Sequence, residues 1–351
     1  MRRNSRMKIF FTAEYSEPEL APLYDIGEVI LDGWALGLPK MDEEELMEKT
    51  KEAEIIITSY DDITRKVIEN ASNLKLIACT RATPVNVDTG TAKERGIPVL
   101  YTPGRNSDST AEMTVGLMIS IARKIPMAYK ALKEGKYTGK PDSGTETKEG
   151  LRADVIWDMA MDAPYMVFKG TQLKGKTLGI LGYGSIGRKV GHIARAFGMQ
   201  LLIYDPFMGE VEIEEIGIRK ASEVEQLMEE SDFITCHMKV TPETTGIINR
   251  ERIGMMKSTA YFINASRGAV LDEEAMVEAL REKRIAGAAF DVYAGEPIVN
   301  NHPYITELDN VVITPHIAGA TDDVLVNHTK QIASDIKRFI DGKQLLYQYK
   351  F

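Results

Sequence analysis

Cysteine is nearly missing from this chain, with Cys79 and Cys236 the two among 351 residues. Each thiol ends an apolar run, which builds no disulfide framework and suits buried, reduced cysteines in a cytoplasmic protein. No cysteine and histidine cluster has zinc-ligand spacing, so no metal is expected. No apolar run reaches the roughly 18 residues that a membrane span requires, so no membrane partner is expected. The opening stretch MRRNSRMKIFFTAEYSE carries basic residues but too few apolar ones before Glu14 for a secretory signal. An excess of positive charge is missing too. Lys and Arg number 43 against 52 Asp and Glu, and the formal net charge of −9 argues against nucleic acid or anionic membrane as general partners. A local basic pocket for a small anion stays allowed.

What is present is ordinary globular composition, 44% hydrophobic and 27% charged, at a length that predicts two domains. Residues 8–100 alternate short apolar runs (8–12, 28–31, 54–58, 74–79, 98–100) with polar segments of helical period (42–53, 64–70, 89–95), and Gly96 stops the last of these. This pattern predicts a doubly wound parallel sheet, in which ligands collect at the carboxyl ends of strands. CTRATPVNVD, residues 79–88, lies at one such end. After Pro103 and Gly104, with Ser107 or Asp108 as cap, a long apolar helix is expected from Thr110. Its Met113, Leu117, Ile121 and Ile125 recur at helical spacing, which means core packing or a subunit contact. Residues 137–170 read as a polar surface excursion followed by an apolar patch (Val155, Ile156, Trp157, Met159, Met161). That patch is either an arm on a second subunit or over a cleft, or a helix docked on its own domain.

The strongest local signal is KTLGILGYGSIGRKVGHIARAFGMQLLIYD, residues 176–205. An apolar strand runs into Gly182, Gly184 and Gly187, then into a helix, and a second strand ends on Asp205. This is the pattern of a dinucleotide-binding βαβ unit. Gly182 permits the tight turn, Gly184 lets a pyrophosphate approach, and Gly187 lets helix and strand pack closely, so Ser185 and Ile186 open the helix at its positive end. Asp205, 18 residues past Gly187, is placed for ribose hydroxyls, with Pro206 beside it. Like charges about 4 Å apart repel by about 4 kcal/mol at an effective dielectric near 20, so a 2′-phosphate is disfavoured and NAD is expected. Strands then recur at 201–204, 233–236, 260–264, 286–291 and 311–314, giving six in this second sheet, with helices starting near Ser222, Asn249 and Asp272. A helix over 322–341 ends the chain.

Three polar residues follow strands of the second sheet: Arg267 in NASRGAV, Glu296 in FDVYAGEP and His316 in VVITPHIAG. A histidine beside a carboxylate is an acid/base pair, and an opposite charge within a few ångströms shifts a pKa by about 1 to 3 units. A guanidinium grips a carboxylate through two hydrogen bonds. His192, His302 and His328 read as surface or packing residues.

These motifs, with YDPF, HMKVTPETTGIINRERIGMMKSTAYFINASRGAVLDEEAM and NVDTGTAKERGIPVLYTPGRNSDSTAE, run through nearly the whole chain, which resembles the D-isomer-specific 2-hydroxyacid dehydrogenases. That family includes phosphoglycerate, glycerate, hydroxypyruvate and D-lactate dehydrogenases. The resemblance implies a flavodoxin-like substrate domain (1–105 plus 320–351), an inserted Rossmann NAD domain (106–319), a homodimer, and a small 2-hydroxy or 2-oxo acid as substrate. It implies that Arg267 binds the substrate carboxylate, that His316 exchanges a proton with the substrate oxygen beside the nicotinamide, and that Glu296 pairs with His316 and raises its pKa. Ala265, Ser266 and Asp291 would line the nicotinamide side, Asp291 at its carboxamide, and His237 and Thr241 the adenosine side. One departure stands out. Relatives carry a glycine-rich turn whose backbone amides hold the substrate carboxylate where this chain has Arg81, Ala82, Thr83 and Pro84; backbone donors survive at Ala82 and Thr83, and either Arg81 or Thr83 contacts a polar or anionic distal group of the substrate or Arg81 is a solvated or structural charge. Rival readings are a non-catalytic NADH-sensing, corepressor-like protein and a phosphite dehydrogenase. A formate dehydrogenase is disfavoured because its relatives carry Gln where Glu296 stands.

Overall fold

Apolar runs of four or five residues, too short for helices and punctuated by capping residues, become parallel strands covered on both faces. The computed structural model describes residues 6–138 and 161–350, and the chain divides into two compact units, Met1–Ser109 with Ala320–Phe351, and Thr110–Gly319.

In the first unit β1 (Met7–Phe11), β2 (Gly27–Leu31), β3 (Ile55–Thr58), β4 (Leu76–Cys79) and β5 (Val99–Leu100) form a parallel sheet of order β2-β1-β3-β4-β5. Successive side chains point to opposite faces. Phe10, Ile56, Ile77 and Val99 therefore fill one core layer, while Ile9, Phe11, Ile57 and Ala78 fill the other against Ile332 and Ile336 of the last helix, Asp322–Ile340. Asp42, Thr64 and Asp88 cap the helices between strands by accepting backbone N–H groups, each worth about 1 kcal/mol.

The second unit carries β6 (Thr177–Leu181), β7 (Gln200–Tyr204), β8 (Arg219–Lys220), β9 (Phe233–Cys236), β10 (Tyr261–Asn264), β11 (Gly287–Phe290) and β12 (Val311–Ile313), in the order β12-β11-β10-β9-β6-β7-β8. All pairs are parallel. The sheet has seven strands where the sequence predicts six. The extra one, β8, is two basic residues at the edge, with no apolar run to announce it. Both sheets reverse their winding beside a central strand, at β1/β3 and at β6/β9, and such reversals open a crevice at the carboxyl ends.

The expected helix from Thr110 through Ile125 is corrected. It runs Ser107–Ala122, and Ile125 belongs to the next helix, Ile125–Lys133. Pro126 has no N–H to continue the first helix, and Lys124 turns the chain at φ 52°. Leu117 and Ile121 are buried in the unit's own core. The apolar patch Val155–Met159 lies outside the described residues. Cys79 and Cys236 are buried free thiols.

His328, on the last helix, is buried. Its Nε2 lies 2.8 Å from the Glu14 carbonyl and its Nδ1 2.9 Å from Arg105 Nη1. A guanidinium only donates, so Nδ1 accepts and Nε2 carries the proton. Burial pushes this imidazole down to about 4 from 6.5. The unfolded chain then binds this proton first, so stability is full above pH 6.5 and is lost as pH falls toward 4, by roughly 3 kcal/mol from this residue. Denaturant titrations across that window should show the loss, and His328→Gln should flatten it. An unchanged pH slope in the variant would contradict the assignment.

Candidate active site

At the β6 turn, Gly182 sits at φ +87°, and a Cβ on Gly187 would lie 2.2 Å from the Gly182 carbonyl oxygen, so only glycine lets the helix Ser185–Ala196 approach this strand. A Cβ on Gly184 would meet nothing within 4 Å, which leaves room above the turn. Gly184 starts the helix without a side-chain cap, and the helix therefore presents its positive end to that space. Asp205, at the end of β7, is buried, and its carboxylate accepts from Tyr183 N at 2.8 Å and Phe207 N at 2.9 Å. It thereby ties the second strand to the glycine turn, while Pro206 beside it is exposed.

His237 follows β9 on the other side of the β6/β9 reversal. Its Nε2 meets Thr235 Oγ1 at 3.0 Å, and its Nδ1 is shielded from solvent without a partner. Burial pushes it down to about 3, so it is neutral. Thr241 lies in an exposed turn closed by Thr244.

The exits of β10, β11 and β12 form the second half of the site. Asn264 Oδ1 accepts from Ser266 N at 3.0 Å and Ser266 Oγ at 2.8 Å, and its Nδ2 donates to the Arg267 carbonyl at 3.0 Å. The strand end is thereby hooked so that Ala265, Ser266 and Arg267 follow in a fixed turn. A Cβ on Gly268 would fall 1.9 Å from the Tyr293 carbonyl oxygen, so this turn packs directly on the loop that carries Glu296. Arg267 donates to the Ser266 carbonyl at 2.6 Å.

His316 Nδ1 and Glu296 Oε2 are 2.6 Å apart, and Glu296 Oε1 accepts from Tyr293 N at 3.1 Å. Burial pushes the Glu296 carboxyl up, but the bond from His316, the Tyr293 N–H and the charges of His316 and Arg267 outweigh it and hold the group below its ordinary value. With Nδ1 committed to the carboxylate, Nε2 of the half-exposed ring is left for a ligand.

His316 stands at φ 55°, a left-handed conformation that is uncommon for histidine and costs roughly 1 kcal/mol or more. The neighbouring backbone is pinned by fully buried Asp291. Its carboxylate accepts from Thr314 Oγ1 at 2.6 Å and from Ile317 N and Ala318 N at 2.8 Å each. Tyr293 Oη adds a bond to the Thr314 carbonyl at 2.7 Å. The sequence reading did not include Asn264, Tyr293 or the clamp made by Asp291. Their signal is positional, since each sits at or just past a strand terminus.

Arg81, Ala82 and Thr83 follow β4 in the other unit. Arg81 is part-buried with its guanidinium 5.2 Å from the centre of the Tyr60 ring, while Ala82 and Thr83 are exposed. Among the described residues no group of three or more His, Cys, Asp or Glu is arranged to hold a metal, and no helix is long and apolar enough to cross a membrane.

Residues 115–318 match the family model described as D-isomer specific 2-hydroxyacid dehydrogenase, NAD binding domain. The chain belongs to that family. It is 38% identical over 338 residues to D-3-phosphoglycerate dehydrogenase of Methanocaldococcus jannaschii, covering 96% of this chain and 58% of that protein. It is 36% identical over 341 residues to glyoxylate reductase of Thermofilum pendens, covering 97% and 93%. The chain thus spans little more than half of the first relative and nearly all of the second. A solved protein of Thermus thermophilus superposes with TM-score 0.78 at 28% identity, covering 98% of this chain and all of that one.

The family's cofactor is NAD, and the residues present suit it. The space above Gly184, the uncapped helix start and the orphaned Nδ1 of His237 all lie at the β6/β9 reversal.

Proposed function

We propose that the protein is an NAD-dependent oxidoreductase acting between C2 of a small D-2-hydroxy acid and the corresponding 2-oxo acid. The observation that carries this reading is the 2.6 Å imidazole–carboxylate pair at the exits of β11 and β12, on the same sheet as the glycine turn. Bound NAD(H) supplies or accepts the hydride. Arg267 holds the substrate carboxylate and so orients its carbonyl. His316 gives the proton on Nε2 to the carbonyl oxygen in reduction and recovers it in oxidation. Glu296 fixes the ring and stabilises the imidazolium. Asp291 keeps the His316 turn in place and retains acceptor capacity on Oδ2 for the nicotinamide carboxamide. Gly182, Gly184, Ser185, Ile186 and Gly187 take the pyrophosphate, Asp205 and Pro206 the ribose, and His237, Thr241, Ala265 and Ser266 the remaining walls.

The relatives' names include both phosphoglycerate dehydrogenase and glyoxylate reductase, so a panel tests the reading. NADH oxidation with glyoxylate, hydroxypyruvate, pyruvate and phosphohydroxypyruvate should be fast for at least one acid. Tight NADH binding with no turnover on any would favour the NADH-sensing reading instead.

The assembly is read as a cytoplasmic homodimer. Ile125, Tyr129 and Leu132 are 50, 63 and 54% exposed along one face of their helix. An apolar stripe of this kind favours a protein contact. Tyr129→Asp with Leu132→Asp should give a monomer in sedimentation analysis; a stable dimer in the double variant would place the contact elsewhere.

A further inference from the structure

Tyr293, on the loop after β11, touches the turns of Arg267, Glu296 and His316 through a different atom each. Its backbone N–H donates to Glu296 Oε1 at 3.1 Å. Its carbonyl oxygen lies 1.9 Å from where a Cβ on Gly268 would stand, so the turn that carries Arg267 rests directly on it. Its hydroxyl donates to the Thr314 carbonyl at 2.7 Å. The backbone of this loop is tied independently of that hydroxyl, because the next residue, Ala294, donates its N–H to Glu273 Oε1 at 3.3 Å.

The Thr314 carbonyl is the point of leverage. It also accepts the backbone N–H of His316 at 3.1 Å, so the phenol and the histidine share one acceptor. Residue 315 between them is proline, which has no N–H. The peptide leading into His316 therefore offers only its carbonyl to be held, and Tyr293 is the side chain that holds it. His316 stands at φ 55°, a conformation that persists only where the surroundings over-determine it. Asp291 bonds the Thr314 hydroxyl and the N–H groups after His316, which leaves the approach to the histidine to the phenol. That ring is buried, and burial followed by the charge of Asp291 pushes its hydroxyl up to about 12, so it keeps its proton and stays a donor.

We propose that Tyr293 is a positioning residue for the reaction: by holding the Thr314 carbonyl, its hydroxyl sets the backbone from which His316 presents Nε2 to the substrate. The role rests on the dehydrogenase reading, in which that nitrogen exchanges the proton.

Tyr293→Phe isolates the bond. It keeps the ring, the N–H on Glu296 and the carbonyl against Gly268, and the Thr314 carbonyl retains His316 N as a partner, so the fold should survive. With whichever 2-oxo acid the protein reduces, kcat should fall about three- to tenfold, the size of one hydrogen bond, while KM and the Kd for NADH stay unchanged. In the His316→Ala background the same substitution should cause no further loss, because the hydroxyl acts only through that residue. A merely structural tyrosine would lower activity by the same factor in both backgrounds.

A second arm needs no substrate. The chain has five histidines, so the His316 signal in an imidazole NMR spectrum is identified by its loss in His316→Ala. That signal should move in Tyr293→Phe while those of His192 and His328 stay in place. Wild-type kcat in Tyr293→Phe, a loss confined to KM, an equal factor in both backgrounds, or an unmoved His316 signal would overturn the positioning role. Should wild type reduce no 2-oxo acid while the His316 signal still moves in Tyr293→Phe, the hold on the histidine stands and the dehydrogenase reading fails.

Discussion

His316→Ala is expected to lower kcat for 2-oxo acid reduction by about a hundred- to ten-thousandfold, the usual contribution of a positioned acid or base. The loss should fall mainly on kcat, because the proton moves to the substrate oxygen only as the hydride arrives. The Nδ1 side of the ring already belongs to Glu296 at 2.6 Å, so a replacement that keeps a hydrogen bond to Glu296 but lacks Nε2 chemistry, such as Asn, should not restore turnover. Glu296→Gln tests the other half of the pair. The carboxyl of Glu296 is held below its ordinary value, so the carboxylate partner of the ring persists as pH falls past 4.5 and is lost only on further acidification through the lower folded pKa. In the Gln variant the ring keeps a hydrogen-bond partner but loses the carboxylate charge beside Nδ1, so kcat should fall, by less than in His316→Ala. Unaltered turnover in Glu296→Gln, or near-normal turnover in a folded His316→Ala, would rule out the proton-transfer role.

The second large effect is expected at Arg267. If its fork holds the substrate carboxylate, Arg267→Ala removes two charge-assisted hydrogen bonds, together roughly 3 to 4 kcal/mol, and kcat/KM should fall by about two to three orders of magnitude. Much of that should appear in KM, since the carboxylate is bound before and during the reaction. Arg267→Lys keeps the charge but not the planar fork, so it should recover only a part. The packing of Gly268 on the Tyr293 carbonyl makes the turn rigid independently of the Arg267 side chain, so both variants should keep the fold. Equal KM in wild type and Arg267→Ala would place the carboxylate elsewhere.

The fold was readable where burial imposes a pattern. Strands β3, β4, β9 and β10 are buried along their whole length, so their sequences are short, mostly apolar runs. The glycine turn was readable because the close approach of Gly187 to the Gly182 carbonyl leaves no room for a side chain. Strand β8 was not, because an edge pair of Arg219 and Lys220 needs no apolar residue. The helix ending at Ala122 was carried too far, since apolar spacing continues through Ile125 while Pro126 and the left-handed Lys124 break the backbone. In the site, Glu296 and His316 could be paired from the sequence only through resemblance, because 20 residues separate them and register across β11 and β12 is what brings them together. The left-handed backbone at His316 and the three bonds Asp291 supplies to its turn have no local sequence signature, since a buried aspartate after a strand reads the same whether it faces a ligand or a loop. The same holds for Arg105, whose partner His328 lies 223 residues away on the last helix.

The central claim is that this sheet places a hydride donor and the His316 proton on one substrate carbonyl. The most direct measurement uses NADH deuterated at the transferring position with whichever 2-oxo acid of the panel is reduced, followed by mass and chiral analysis of the product. The expected result is one deuterium at C2 of the D-hydroxy acid, with formation of that product slowed by at least about a hundredfold in His316→Ala. Unlabelled product, label elsewhere, or the L-isomer would contradict it.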